Sequence, residues 1–88
     1  MTTYQQTKQL LHLIVRVPKE HSAFLYFNLE SHEGLAFYST LDSSLKELFR
    51  DIELFAPIEW DYEIRHLLEA LKVPYHLITD EIVTDSSK

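Results

Sequence analysis

ELFRDIELFAPIEWDYEIRHLLEALK, residues 47–72, changes its hydrophobic period at one proline. Before Pro57 the period is two. Ile52, Leu54 and Ala56 share one face, and Phe49, Asp51, Glu53 and Phe55 share the other, so residues 47–56 read as a strand. Pro57 breaks the ladder. After it, Trp60, Ile64, Leu67, Leu68 and Leu71 recur at helical spacing, which predicts a helix over residues 60–72. Asp61 and Glu63 in its first turn and Lys72 in its last suit the helix dipole. Asp61 and Arg65 are placed to pair one turn apart.

Working outward, residues 10–17 form the first strand, with Leu11, Leu13, Val15 and Val17 on its more uniformly apolar face. Pro18 ends it and can open a helix, where its missing N–H is not needed. A helix is expected over residues 19–33. Ala23, Phe24 and Phe27 lie on one side and Leu25 and Leu29 on another, more apolar surface than one core stripe requires. Gly34 follows and suits a left-handed helix cap. Residues 35–41 form the second strand, and Asp42-Ser43-Ser44 turns the chain into the third. Val73-Pro74 stops the second helix, and residues 75–83 form a last strand. Its buried face stays open, because Tyr75, Leu77 and Thr79 compete with His76, Ile78 and Ile82.

The order βαββαβ predicts an α+β, ferredoxin-like domain over residues 10–83, with a flexible arm at 1–9 and a flexible tail at 84–88. Right-handed crossovers and one hairpin give a four-stranded antiparallel sheet in the order 4-1-3-2, with both helices on one face. The other face is left open. Ile14, Tyr38, Phe49 and Phe55 are expected there as apolar residues without cover from their own chain. Such a patch marks a contact surface, for a second copy of the chain or another protein.

Composition excludes several function classes. Eight basic residues against 14 acidic ones give a net charge of -6 in 88 residues, and the basic residues are scattered singly. Neither nucleic acid nor an anionic membrane is an expected partner. There is no cysteine, hence no thiolate chemistry or cysteine-held metal. The start is polar, without the apolar core of a secretory leader, and no apolar run is long enough to span a bilayer. A cytoplasmic location is the expectation.

No catalytic, cofactor or metal constellation emerges, and the chain is not expected to be an enzyme. His21 and His32 share a side of the first helix, but eleven residues place them about 16 Å apart, too far to share an ion. His12 and His76 could meet on neighbouring strands as two ligands without a third. Asp51 and Glu53 point the same way at about 6–7 Å, a separation used in acid–base pairs, but on a bare sheet face they read as solvated charge. Ser22, Ser43 and Ser44 lack a nucleophile motif, and one glycine cannot build a phosphate loop.

The run Phe27-Asn28-Leu29-Glu30-Ser31-His32-Glu33-Gly34-Leu35-Ala36 resembles a small bacterial family of unknown function. In that family a short strand precedes a helix ending in Leu-Glu-x-x-Glu/Asp-Gly-Leu-Ala. Val15-Arg16-Val17-Pro18 and Thr40-Leu41-Asp42 also look like it, so that the resemblance spans roughly residues 13–72. It implies ferredoxin-like topology and brings no activity. The topology also looks like that of the amino-acid-sensing ACT domains, which implies a small-molecule regulatory domain as the alternative. Its ligand would sit at the loop after the first strand, near Lys19, His21 and Ser22. Where ACT domains carry a glycine, this chain has Pro18-Lys19-Glu20-His21.

Overall fold

The computed structural model describes residues 7–31 and 37–86. Six regular elements follow one another: β1 (Thr7–Pro18), α1 (Ser22–Glu30), β2 (Phe37–Thr40), β3 (Phe49–Pro57), α2 (Asp61–Ala70) and β4 (His76–Ser86). The strands pair antiparallel in the order β2-β3-β1-β4. This is the expected ferredoxin-like βαββαβ arrangement.

Two prolines set the same local plan twice. Pro18 and Pro57 are the last residues of β1 and β3, with φ of -58° and -57°, and each opens a three-residue 3-10 turn that leads into a helix. The proline ring fixes φ near these values and ends the ladder.

The register aligns Leu11 with Ala56, Leu13 with Leu54 and Val15 with Ile52. Cross-strand partners point to the same face. That face is the core, and Leu25 and Leu29 of α1 and Ile64 and Leu68 of α2 close it from one side. Leu67 and Leu71 pack half-buried against it, whereas Trp60 at the head of the stripe stays exposed.

Several expectations need correction. The expected arm runs too far and the expected tail starts too early: Thr7, Lys8 and Gln9 pair with Ser86, Asp85 and Thr84, so that the β1–β4 ladder takes residues 7–9 and 84–86. The first helix ends at Glu30, three residues before the expected end. Ser31 caps it, its N–H donating to the carbonyls of Phe27 and Leu29. Gly34 and the expected start of the second strand at Leu35 lie outside the described residues, as does His32. α1 is not deeply buried. Leu25 and Leu29 face the core, while Phe24 (50% exposed) and Phe27 (68%) face out.

A register shift in β4 explains its ambiguous parity. Ile14 pairs with Thr79 but Val15 pairs with Leu77, leaving Ile78 as the extra residue of a bulge. Before the bulge Tyr75 and Leu77 face the core; after it Asp80 and Ile82, opposite Leu13 and Leu11, take that side. Each half of the strand therefore follows a different parity.

α2 ends without a glycine. Leu71 donates its N–H to the Leu67 carbonyl, and Lys72 follows with φ of 58°, a left-handed conformation.

Candidate functional site

The face of the sheet turned away from both helices is built from alternate residues of three long strands. β1 contributes Leu10, His12, Ile14 and Arg16; β3 contributes Phe49, Asp51, Glu53 and Phe55; β4 contributes His76, Thr79, Glu81 and Val83. Ile14, Phe49 and Phe55 lie here as the sequence predicts, but each is half-buried, and both rings carry a charged or polar side chain of the same face.

Arg16 sits opposite Asp51 and grips it with two parallel bonds, from Nε to Oδ1 at 2.8 Å and from Nη2 to Oδ2 at 3.0 Å. Its guanidinium carbon lies 3.9 Å from the centre of the Phe49 ring. One cation thus neutralises a carboxylate and covers an aromatic face. Asp51 is only 7% exposed, so its charge needs this partner. Its backbone N–H donates to the Ser44 hydroxyl, which in turn donates to the Leu41 carbonyl and anchors the β2–β3 connection.

His12 repeats the device at the other end of the face. Its ring stacks on Phe55, with centroids 4.5 Å apart and planes 11° apart. Nδ1 lies 2.6 Å from Glu81 on β4 and Nε2 lies 2.8 Å from Glu53 on β3. An ionised carboxylate only accepts, so two such contacts suit an imidazolium with two N–H donors. Burial pulls the His12 pKa down and is the largest single effect. The hydrogen bonds that His12 donates to Glu81 and Glu53, with the charges of these carboxylates, together outweigh it and raise the pKa above the ordinary 6.5. With both nitrogens committed, this histidine has no lone pair for a metal. Among the described residues no group of three or more potential ligands could hold one.

Asp51 and Glu53 do share a face, but Arg16 holds one and His12 the other. They are tied to separate cations and do not form an acid–base couple. His12 and His76 do not meet, because β4 places Glu81 opposite His12 and His76 opposite Arg16. The His12–Glu53–Glu81 cluster escaped sequence reading because the β1–β4 register depends on the bulge.

Tyr38 belongs to the opposite face. It pairs with Leu54, a core residue, stacks on Tyr26 of α1 at 5.4 Å and donates its hydroxyl to the Glu30 carboxylate. The bond to Glu30 and burial push its pKa up to about 12. The alternation of β2, fixed by β3, removes it from the open surface.

Lys19 and His21 form the 3-10 turn after β1, and Ser22 starts α1. The Lys19 N–H donates to the Leu48 carbonyl, and the Ser22 hydroxyl donates to the Lys19 carbonyl, so the turn is closed on itself. A groove of about 520 Å³ lies beside it, lined by Arg16, Pro18, Leu48, Phe49, Tyr75 and His76 among others, and by none of those three residues.

No helix among the described residues is long and apolar enough to cross a membrane. Compared with known proteins, the chain matches no family model and no curated relative.

Proposed function

We propose that this chain is a non-enzymatic interaction module that pairs with a second copy of itself through the open face of its sheet. The observation that carries this reading is that three carboxylates of the face already hold a cation from the same face: Asp51 holds Arg16, and Glu53 and Glu81 share His12. A partner chosen by charge would have to break these pairs. A second copy meets them closed, and the apolar groups left to bury are Ile14, between the two ion-paired clusters, Leu10 and Val83, paired with each other beyond His12, and the flanks of Phe49 and Phe55. Size supports the same occupant. Four strands are about 19 Å across and the 12 residues of β1 about 40 Å long. That is the scale of the roughly 800 Å² per partner in a stable interface. Sedimentation velocity on the full chain, from micromolar to millimolar, tests it with Ile14→Thr, which removes apolar area from the face and adds no charge opposite Glu53. The expected result is a concentration-dependent dimer that Ile14→Thr weakens at least tenfold without altering the monomer's melting. A wild-type monomer throughout, or an unaffected variant, refutes the reading.

A second reading, a small-molecule sensor of the ACT kind, draws support from the groove beside the β1–α1 turn. Its volume is within the range of ligand sites, about 300–1,000 Å³. A thermal-shift screen with amino acids and nucleotides separates the two, since only a ligand-binding domain is stabilised by mass action.

A further inference from the structure

We propose that the proton on His12 controls this self-association, the dimer forming while His12 is charged and weakening once the proton leaves. The inference rests on the proposed pairing through the open face and adds its regulation.

His12 stands on β1 between β3 and β4, and the groups around it come from both neighbouring strands. β3 brings Glu53 and the Phe55 ring; β4 brings Glu81. Arg16 and Asp51, further along, are occupied with each other, and His76 lies opposite Arg16 at the far end. Among the described residues His12 is the cation that bonds Glu53 and Glu81.

Removing the proton changes the surface in a defined way. A neutral imidazole keeps one N–H and exposes one lone pair. One carboxylate keeps its donor; the other then faces a lone pair and loses its partner. Glu81 is the more exposed of the two, at 51% against 28% of its side chain, so it is the one free to turn into water. In a face-to-face dimer that water is gone. Each copy would bring one unpaired carboxylate into a desolvated contact, where like charges repel. The charged histidine removes both costs, so the dimer binds the His12 protons more tightly than the monomer.

The test is sedimentation of the full chain from about pH 6 to about pH 9, which covers the histidine range, with the His12 ring followed by NMR in the same buffers. The dimer dissociation constant should rise with pH, by at most tenfold per unit for each proton released. The rise should centre on the observed titration of the His12 ring. Glu81→Gln removes the carboxylate that loses its partner, and its dissociation constant should stay flat across the range. His12→Gln should be flat as well; if it fails to fold, Glu81→Gln decides alone. A wild-type dimer of constant affinity, or a Glu81→Gln dimer that keeps the wild-type slope, overturns this inference and leaves the pairing intact. No dimer at any pH overturns both.

Discussion

The imidazole of His12 lies flat on the ring of Phe55 while its two nitrogens reach Glu53 and Glu81 on opposite neighbouring strands. One side chain on the central strand therefore ties β3 to β4. Its consequence for the stability of the monomer has a definite sign. The folded pKa is raised above 6.5, so folding binds the proton more tightly than the unfolded chain does. The stabilisation is complete below the unfolded value and is lost as pH rises through the folded one. Urea unfolding at concentrations where the chain is monomeric should show stability declining as pH rises from the unfolded value through the folded one. His12→Gln should be less stable at about pH 6 and lack the decline. A variant with the wild-type pH profile would separate His12 from this effect.

Asp51 and Arg16 form the second tie, and here removal of one partner should cost more than removal of both. Asp51 is buried against the sheet with two bonds from Arg16. Arg16→Met leaves that carboxylate without its cation, and about 3 kcal/mol is the expected loss. The double variant Arg16→Met with Asp51→Leu should recover at least about 1 kcal/mol of it, because the stranded charge is gone. Chemical denaturation of the two single variants and the double variant completes the cycle. Strict additivity would show that the pair is not coupled.

Periodicity made most of this fold legible before any coordinates. The β1 and β3 core faces, from Leu11 to Val17 and from Ile52 to Ala56, follow from strict alternation, and Ile64 and Leu68 follow from the α2 stripe. The open face was legible as a place, since Ile14, Phe49 and Phe55 carry the opposite parity. Its chemistry was not. Which cation covers which ring depends on register between strands far apart in sequence, and one bulge at Ile78 sets the β4 register. Tyr38 was misplaced for the same reason: a strand of four residues carries too little alternation to fix its face.

α1 shows the limit of the pattern and gives a direct check on its orientation. Its apolar residues run nearly all the way around, so spacing does not choose between the Leu25–Leu29 side and the Phe24–Phe27 side. The structure chooses the leucines. Leu25→Ala should cost about 2–5 kcal/mol, as expected of a fully buried leucine. Phe27→Ala, although it removes a larger side chain, should stay within about 0.5 kcal/mol in the monomer. Thermal melts of the two variants in dilute solution discriminate, and the reverse order of losses would invert the helix.

Lys72 is held in a left-handed backbone that glycine adopts without penalty. A side chain bearing a Cβ costs roughly 1 kcal/mol there. Lys72→Gly removes that strain, although it also frees the unfolded chain and gives up a cation near the end of α2. The net expectation is a gain of up to about 1 kcal/mol, read as a higher denaturation midpoint with an unchanged slope. A loss of stability would show that the helix-end charge outweighs the backbone strain.

Arg65 joins α2 to β4 and governs the acid side of the stability curve. Its Nε donates to Asp61 one turn back at 2.7 Å, the pairing that the sequence predicts. Its two terminal nitrogens also donate to Asp80, each at 2.8 Å. Asp80 faces α2 only because the β4 bulge switches its parity. The hydrogen bonds from Arg65, aided by its charge, outweigh burial and lower the Asp80 pKa below the usual 3.8. A depressed folded pKa stabilises the protein above the unfolded value and loses that contribution as pH falls through the folded one. Asp80→Asn should therefore cost little at neutral pH, less than about 1 kcal/mol for a pair this exposed to solvent and salt. Below about pH 4 its curve should converge with that of the wild type. Acid titration of the unfolding midpoint for both proteins at low salt measures this, and an equal gap at pH 7 and pH 2 would mean that Asp80 acts through packing and not through its charge.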